Sequence, residues 1–423
     1  MVRRRRVIEI RVLMAILGAL LLAGSMVGCG GVSEGNIDGR GSRQGAGERS
    51  AAATDEETTA PEEDRPASGV ARQQGGLDVE AVSPGGAYLP AGFGEDSLWA
   101  TDVSICNDTM SASGSASSSG SASFSSSAQA MCAMPNKMLL KRLDPRTGEE
   151  VAAVTLEGFS TNTTEMAVGA GSVWVCSGDY YPEPVGRRQP GDVVLRIDPE
   201  TNRVVDRIPV DSPTGLAFGR GSVWVTSAGH GTLSRIDPRT GEVAAKIEVG
   251  RGAVDIAVDE SSGEVWVAGI YLAEDYSGDS SQGNSEHNKL SRVDPETNRV
   301  VAEIPIAAHA RYGGAYSVAV GKGAVWAQSE DGRLFKVDPA TDEVVAEVPL
   351  GEYSSHLTVH GGAVWATVQV SAGTRLVRVD PRTGRVVASV ELGSGVRVGY
   401  GRLVAGGGYV WFGSGDGLAR VAP

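Results

Sequence analysis

The stretch VGKGAVWAQSEDGRLFKVDPATDEVVAEVPLG, residues 320–351, contains a phrase that recurs along most of the chain. Every tryptophan in the protein stands in this phrase, after an aliphatic residue and a turn that contains glycine. The seven tryptophans are Trp99, Trp174, Trp224, Trp266, Trp326, Trp365 and Trp411. Their spacing is 39 to 75 residues, and the longer gaps contain visible insertions. A unit of about 40 residues with four short β-rich runs is typical of one blade of a β-propeller.

Each copy also contains turn chemistry that fits a blade. Six phrases continue into a basic residue, an aliphatic residue and Asp-Pro-x-Thr, with the aspartates at Asp144, Asp198, Asp237, Asp294, Asp338 and Asp380. Proline presets φ and aspartate accepts local backbone N–H groups, so this segment predicts a hairpin turn between strands three and four. The glycine-containing turn before each tryptophan predicts the hairpin between strands one and two. Because these features repeat, we interpret them as scaffold.

The two ends of the repeat predict how the ring closes. The last copy, residues 403–423, stops after its third strand, with Ala422 in place of the aspartate. Residues 77–86, LDVEAVSPGG, read as a fourth strand without the three that should precede it. We therefore predict an all-β, seven-bladed β-propeller with four-stranded blades, in which residues 77–83 pair with the blade built from 402–422 and cover its exposed edge.

The repeated phrase resembles the YVTN-type (YncE-like) and virginiamycin B lyase-like propeller families, which use similar Val-Trp-Val and Ile-Asp-Pro-x-Thr units. The resemblance covers residues 77–423. It implies the propeller architecture, since the shared motifs are scaffold motifs. For the virginiamycin B lyase-like relatives it also implies metal-assisted elimination at the channel mouth. No active-site pattern of that family can be matched residue by residue here.

The N-terminal segment predicts export and membrane attachment. A cationic leader that includes Arg3–Arg6 precedes an apolar run over residues 12–28, and Met26-Val27-Gly28-Cys29 resembles a bacterial lipobox. We expect a lipoprotein signal peptide over 1–28, lipidation of Cys29, and an extracytoplasmic protein anchored to the cell membrane. The alternative is an uncleaved N-terminal membrane anchor. Residues 29–75 lack aromatic side chains and predict a disordered tether, which leaves 76–423 as the propeller.

The charge of the chain excludes one class of partner. The formal net charge is −14, and removal of a leader with five Arg and one Glu (+4) gives −14 − 4 = −18 for the mature protein. Such a balance argues against nucleic acid and against electrostatic docking on anionic lipid. The expected partners are therefore the membrane, through the lipid, and an unknown protein or small-molecule ligand.

The long insertions all fall between strands two and three or between blades, which places them on one face of the ring. The Ser-rich insertion 104–137 is flanked by Cys106 and Cys132, for which we predict a disulfide. Cys176 is then a buried thiol, or in the rival pairing a partner of Cys132. Aromatic and basic residues of the other connections extend the candidate binding face: Tyr180, Tyr181, His309 and Tyr312.

The residue that enters strand one should lie at the channel mouth on that same face. Alignment on tryptophan gives, in blade order, Pro90, Glu165, Gly215, Asp255, Ser317, His356 and Arg402. A scaffold position would repeat, and this one does not. Glu165 and Asp255 suit a hard cation such as Mg²⁺, Ca²⁺ or Mn²⁺, beside which His356 could act as a general base. A water-filled mouth lined by solvated polar groups is the alternative, and no cofactor is required by the sequence.

Two functions follow from these observations. The first is a membrane-tethered, non-catalytic propeller that binds a ligand or scaffolds a protein, because no catalytic motif stands in the chain. The second is a metal-dependent lyase of the virginiamycin B lyase type, acting at the channel mouth. A quinone-cofactor dehydrogenase is a third and weaker hypothesis. Such a cofactor would need extensive aromatic stacking, and all seven tryptophans belong to the blade repeat.

Overall fold

The structure is a computed structural model. It describes residues 73–74, 76–84, 88–102, 137–157, 159, 164–177, 192–270, 288–307, 314–329, 331–351, 353–371, 373–393, 402–414 and 417–423. All of them lie in one compact unit, Ser68–Pro423. Within these ranges the secondary structure is strand and turn, without any helix that is long and apolar enough to cross a bilayer. The predicted leader, Cys29 and most of the predicted tether lie outside them.

The strands form seven antiparallel sheets. Two strands come first: β1 (Gln73–Gln74) and β2 (Val79–Pro84). Blade 1 has β3 (Tyr88–Gly94), β4 (Ser97–Asp102), β5 (Lys137–Leu143) and β6 (Glu150–Glu157). Blade 2 has β7 (Thr164–Gly169), β8 (Ser172–Ser177), β9 (Val193–Asp198) and β10 (Arg203–Pro209). Blade 3 has β11 (Pro213–Gly219), β12 (Ser222–Ser227), β13 (Thr232–Ile236) and β14 (Val243–Glu248).

The remaining blades follow the same order. Blade 4 has β15 (Ala253–Val258), β16 (Val265–Gly269), β17 (Lys289–Asp294) and β18 (Arg299–Pro305). Blade 5 has β19 (Ala315–Gly321), β20 (Ala324–Ser329), β21 (Arg333–Asp338) and β22 (Glu343–Pro349). Blade 6 has β23 (Tyr353–His360), β24 (Ala363–Val370), β25 (Gly373–Asp380) and β26 (Arg385–Gly393). Blade 7 has β27 (Val404–Gly406), β28 (Tyr409–Ser414) and β29 (Gly417–Val421).

The predicted ring closure is confirmed. β2 pairs antiparallel with β29, with Val79 opposite Val421 and Ala81 opposite Ala419, and so becomes the fourth strand of blade 7. Arg420 fixes this junction: its Nε and Nη2 bind the Glu80 carboxylate, each at 2.9 Å. The Nη1 of Arg420 donates to the Pro145 carbonyl of blade 1. The predicted seven-bladed ring is therefore confirmed, and its closing strand spans 79–84 instead of the predicted 77–83.

A second contact of the N-terminal segment was not predicted. β1 adds a fifth strand to the outer edge of blade 6, with Gln73 opposite Val390. Between β1 and β2, Leu77 is 5% exposed and packs in the apolar cluster shared by blades 6 and 7. The segment thus bridges the two blades on their outer side. A two-residue polar strand has no hydrophobic alternation, so no sequence pattern predicts it.

The tryptophans fill the spaces between neighbouring blades, as predicted. Each of the seven is fully buried. Each belongs to a different apolar cluster that joins its own blade to the next one in the ring: Trp99, Trp174, Trp224, Trp266, Trp326, Trp365 and Trp411. Since a single blade cannot bury its two faces, these seven contacts hold the ring together.

The basic residue of each phrase has a role that only the structure shows. It lies over the tryptophan of its own blade, with its charged group 5.2–5.8 Å from the ring centroid. In five of the described blades it also donates to the carbonyl oxygen of the proline in the next blade's Asp-Pro turn: Arg142, Arg235, Arg292, Lys336 and Arg420. The two repeated motifs are therefore the two halves of one contact between blades.

Backbone conformation at the turns agrees with the sequence prediction. In the hairpin between strands one and two of blade 5, Lys322 and Gly323 both have positive φ, at 58° and 71°. This is the type I′ geometry that glycine favours. Blade 4 differs, because a longer turn over 259–264 repeats the hydrogen-bond pattern of the Asp-Pro turns, with Gly263 N donating to Asp259 O. That longer turn accounts for the two additional residues in the fourth copy.

Candidate functional site

The candidate site lies where the innermost strand of each blade begins. Glu165 is the second residue of β7, Asp255 and Ser317 lie near the start of β15 and β19, and His356 lies in the first half of β23. Arg402 stands two residues before β27. The innermost strands begin on the face that also carries the connections between strands two and three. These five side chains therefore occupy one mouth of the central channel, and we call them the axial cluster.

β-Bulges stand next to three members of the axial cluster. The register of the innermost strand shifts so that Val254, Tyr316 and Ser355 have no partner of their own on the second strand. The next residue in each case is Asp255, Ser317 or His356. A bulge re-aims the neighbouring side chains and is common beside functional sites. Neither the hydrophobic pattern nor the turn motifs of the repeat indicated these bulges.

Arg402 connects the carboxylates of the axial cluster. Its Nη2 contacts Glu165 Oε2 and forms an ion pair, at 3.1 Å, with Asp255 Oδ1. The other oxygen of Asp255 accepts hydrogen bonds from Ser317 Oγ, at 2.9 Å, and from the Val318 backbone N–H, at 3.0 Å. One guanidinium thus reaches from blade 7 to blades 2 and 4, and Asp255 continues the connection to blade 5.

Burial controls the protonation of Glu165, whose carboxylate would be costly to ionise in this position. Glu165 is 5% exposed. Desolvation raises its pKa to about 8, with the Arg402 charge opposing and the Asp255 charge adding to this shift. At neutral pH the carboxyl therefore holds its proton in most molecules. The axial cluster then carries one positive charge on Arg402 and one negative charge on Asp255.

His356 has the opposite response to the same environment. Desolvation lowers its pKa to about 4, and the Arg402 charge adds to the shift more strongly than Asp255 opposes it. The imidazole is therefore neutral at physiological pH, with one N–H donor and one acceptor nitrogen. Among the described residues its recorded side-chain contact is with the Tyr316 ring, at 6.3 Å between centroids. No protein hydrogen bond to the imidazole occurs within that part of the chain.

Tyr316 gives the mouth an aromatic wall. Its ring is tilted by 59° against His356. It is half-buried and packs on a small apolar cluster at the top of blades 3 and 4, formed by Ala228, Val254 and Ile270. Part of the tyrosine therefore faces the same space as the polar groups of the axial cluster.

Behind the axial cluster stands a layer of buried residues on the second strands. Cys176, opposite Glu165, is a free and fully buried thiol, so the rival pairing with Cys132 is not formed. Burial, followed by the Glu165 charge, raises the pKa of this thiol. Gln328, opposite Ser317, is fully buried and donates to the Thr367 carbonyl at 3.3 Å. Its Oε1 has no hydrogen-bond partner among the described residues.

The other aligned positions contribute no charge. A Cβ at Gly215 would meet Thr226 Oγ1 at 2.6 Å and the Val254 carbonyl at 2.9 Å, so only glycine fits beside blade 4. Pro90 is buried in blade 1. The titratable side chains of the mouth therefore come from blades 2, 4, 6 and 7, and the mouth is chemically asymmetric.

The predicted cation ligands are engaged in another way. Arg402 binds both Glu165 and Asp255, and thus occupies the position between them that the sequence suggested for a cation. Across the described residues no group of three or more His, Cys, Asp and Glu side chains is arranged to hold a metal ion. The donor set of the axial cluster does not fit a divalent cation while the guanidinium is in place.

Several predicted positions lie outside the described residues. These are Tyr180, Tyr181, His309 and Tyr312 of the candidate binding face, and Cys29, Cys106 and Cys132. Most of the Ser-rich insertion 104–137 belongs to the same group. Sequence reasoning did bring out all five members of the axial cluster. Sequence reasoning missed Gln328. The available signal was its position, since Gln328 is a polar residue two positions after Trp326 in a strand predicted to be buried.

The fold and the site define the chain as a seven-bladed β-propeller with a buried, charged cluster at one channel mouth. No protein-family model matches the sequence. No curated protein matches it either. Among solved structures the chain is similar to Kuenenia stuttgartiensis Hydrazine Synthase, with 15% identity, a TM-score of 0.50, and coverage of 68% of this chain and 92% of that chain. At this identity the similarity supports the propeller fold alone, and membership of the YVTN-type or virginiamycin B lyase-like families stays a prediction.

Proposed function

We propose that this protein is a binding propeller that takes up a ligand at the axial cluster. The observation that carries the proposal is the link from Glu165 through Arg402 to Asp255, beside the neutral His356 imidazole that lacks a protein hydrogen bond in the described part of the chain. Burying charges is unfavourable for folding, and well-packed apolar residues often replace them without loss of stability. Buried groups with shifted pKa values at a channel mouth therefore favour a functional role.

The comparison among blades supports a binding role for the axial cluster. Scaffold residues, such as the tryptophans, are the same in every blade. The position that enters strand one differs in all seven copies, and its polar members come together in space. A scaffold requirement would act on each blade alike, so it does not explain a set of residues that meets only once.

A compound screen tests the binding function. We expect at least one small molecule in a chemically diverse library to raise the melting temperature of the purified full-length chain, because a ligand bound only by the folded state stabilises it. The shift should be lost in His356→Ala. His360→Ala is the matched control, because His360 lies at the other end of the same strand. Its bond from Trp365 Nε1 goes to the backbone oxygen, which the substitution leaves in place. Absence of any shift that depends on His356 would contradict the proposal.

The N-terminal segment extends the proposal to the location of the protein. We propose that the propeller is lipidated at Cys29 and held outside the cytoplasmic membrane by the tether of residues 29–75. In a bacterial host, Cys29→Ala should move the exported protein from the membrane fraction to the soluble fraction. Mass spectrometry of the N-terminal peptide should show a lipid on the unaltered chain. An unmodified Cys29 within an intact leader would instead support the uncleaved anchor.

A metal-assisted lyase is the second candidate function. It would require Arg402 to leave the position between Glu165 and Asp255, and one observation favours its acid–base chemistry. At neutral pH Glu165 is protonated and His356 is neutral, so the mouth holds a potential general acid and a potential general base. Melting curves with EDTA, Mg²⁺, Ca²⁺ and Mn²⁺ separate the two functions. A cation-dependent stabilisation that Asp255→Asn abolishes would favour the lyase, and unchanged curves would favour the binding module.

A further inference from the structure

The axial cluster presents fixed donors and fixed acceptors side by side. The donors are the Arg402 guanidinium, with a quarter of its side chain exposed, and one N–H of His356. The acceptors are the carboxylate oxygens of Asp255 and the second imidazole nitrogen of His356, and the protonated Glu165 carboxyl has one O–H donor and one acceptor oxygen. A ligand that satisfies both kinds of group must itself donate and accept hydrogen bonds within a few ångströms.

Charge narrows the choice further. A cationic ligand would be repelled by Arg402, whose charge acts on His356 more strongly than that of Asp255. An anionic ligand would meet the Asp255 carboxylate and a protein of net charge −14. With Glu165 protonated, the charges of Arg402 and Asp255 cancel, so the cluster has no net charge for a ligand to neutralise. These terms favour a neutral ligand.

Hydroxyl groups meet both requirements, because each one donates one hydrogen bond and accepts others. The half-buried Tyr316 ring beside His356 adds an apolar, aromatic surface on which the C–H face of a sugar ring can lie. Resting on the proposed binding function, we propose that the axial cluster binds a neutral polyhydroxylated ligand, a carbohydrate. Hydroxyls would bond to Arg402, Asp255 and His356, and the sugar ring would stack on Tyr316.

A charge-matched series of probes tests this ligand class. Calorimetric titration of the full-length chain would use glucose, galactose, N-acetylglucosamine, cellobiose and trehalose as neutral probes. Glucosamine and glucuronate serve as the cationic and anionic probes of the same ring size. The protein should be kept in a detergent that carries no sugar headgroup, since a maltoside would compete. We expect a neutral saccharide to bind at least about tenfold more tightly than its charged counterparts, which corresponds to roughly 1.4 kcal/mol.

Variants assign the binding to the axial cluster. Ser317→Ala and His356→Ala should each weaken the best neutral saccharide about tenfold or more, whereas His360→Ala should leave its affinity unchanged. Tyr316→Ala should weaken the affinity for that saccharide, and Tyr316→Phe should leave this affinity near that of the unaltered protein, because stacking needs the ring and not the hydroxyl. Melting curves of each variant show whether it is folded before the titration is read.

The outcomes separate the ligand class from the binding function. Equal or tighter binding of glucosamine or glucuronate, or no binding of the neutral series, overturns the carbohydrate proposal. If the compound screen has then yielded a different ligand that depends on His356, the binding function stands and only the class is wrong. If no compound depends on His356, both proposals fail.

Discussion

Burial shifts the pKa values of Glu165 and His356 in opposite directions, and in each case it favours the neutral form of the side chain. The pKa of Glu165 rises from 4.5 to about 8, so between these values the native state keeps a proton that the unfolded chain has released. The free energy of unfolding must then fall as the pH rises. The pKa of His356 falls from 6.5 to about 4, so its contribution increases with pH up to 6.5. The two effects oppose each other below pH 6.5, and Glu165 acts alone between 6.5 and 8.

Glu165→Gln should therefore remove a pH dependence from stability. In the unaltered protein we expect the free energy of unfolding to fall between pH 6.5 and pH 8, with a slope of at most about 1.4 kcal/mol per pH unit. The glutamine mimics the protonated carboxyl and still accepts from Arg402, so the variant should lack this slope and be the more stable form at pH 8. Urea unfolding at several pH values measures it, with the exposed Glu343→Gln as control. An unchanged slope in Glu165→Gln would rule out this assignment.

A single atom of Arg378 provides a second test. In blades 1 to 3 the arginine Nε donates to the serine before the Val-Trp or Leu-Trp pair, for example Arg235 to Ser222 at 2.9 Å. In blade 6 that position is Ala363, and the Nε of Arg378 is buried without a hydrogen-bond partner among the described residues. Ala363→Ser should supply one and raise the free energy of unfolding by about 0.5–1.5 kcal/mol. Chemical denaturation measures the change, and a destabilised Ala363→Ser would show that the site cannot hold the hydroxyl.

Outer strands illustrate how single elements are adapted to an exposed edge. In β10, β18, β22 and β26 the register shifts by one residue, and the additional residues are Val205, Val301, Val345 and Val387. Each is 49–54% exposed. A bulge strengthens the local twist and makes the edge a poorer template for pairing with another chain. In blades 2 and 4 the first valine of the Val-Val pair, Val204 or Val300, packs against an apolar cluster. In blades 5 and 6 the first valine is exposed as well, with Val344 at 40% and Val386 at 44%.

Substitutions along β10 should separate these two environments. Val205→Lys should change the free energy of unfolding by no more than about 0.5 kcal/mol, because the side chain already lies in water. Ile208→Ala, three residues further along, removes a side chain that is 3% exposed and should cost about 2–5 kcal/mol. Urea unfolding of both variants measures the contrast. A large loss for Val205→Lys would mean that the bulged valine is buried in the folded protein.

The whole molecule depends on closure between distant parts of the chain. β2 meets β29 across more than three hundred residues, and Arg420 joins Glu80, Trp411 and the Pro145 carbonyl at the same junction. A propeller with blade 7 lacking its fourth strand would expose the edge of β29 and one side of the apolar cluster around Trp411. Non-local pairing of this kind makes the ring cooperative, because no other strand can take its place.

Two N-terminal truncations test the closure. Removal of residues 1–72 should leave the melting temperature close to that of the full chain, since β1, Leu77 and β2 all stay in place. Removal of residues 1–84 deletes only twelve more residues but takes away the fourth strand of blade 7. That protein should melt far lower or aggregate, which circular dichroism and size-exclusion chromatography would show. Equal stability of the two truncated chains would contradict closure by β2.

Sequence alone determined the number of blades, the order of their strands and the closing strand, because seven repeats of buried tryptophan and fixed turn residues leave one way to bury every blade face. It also identified the positions of the axial cluster, since the aligned position that enters strand one carries a different residue in each of the seven copies. Tertiary structure decided what those residues do to one another. Three features depend on distance and desolvation between blades far apart in the chain. Arg402 crosses the mouth to two carboxyl groups, Glu165 keeps its proton, and the His356 imidazole makes no hydrogen bond to the residues that the structure describes. Local patterns do not encode those quantities, which is why the sequence did not indicate that Arg402 contacts both Glu165 and Asp255.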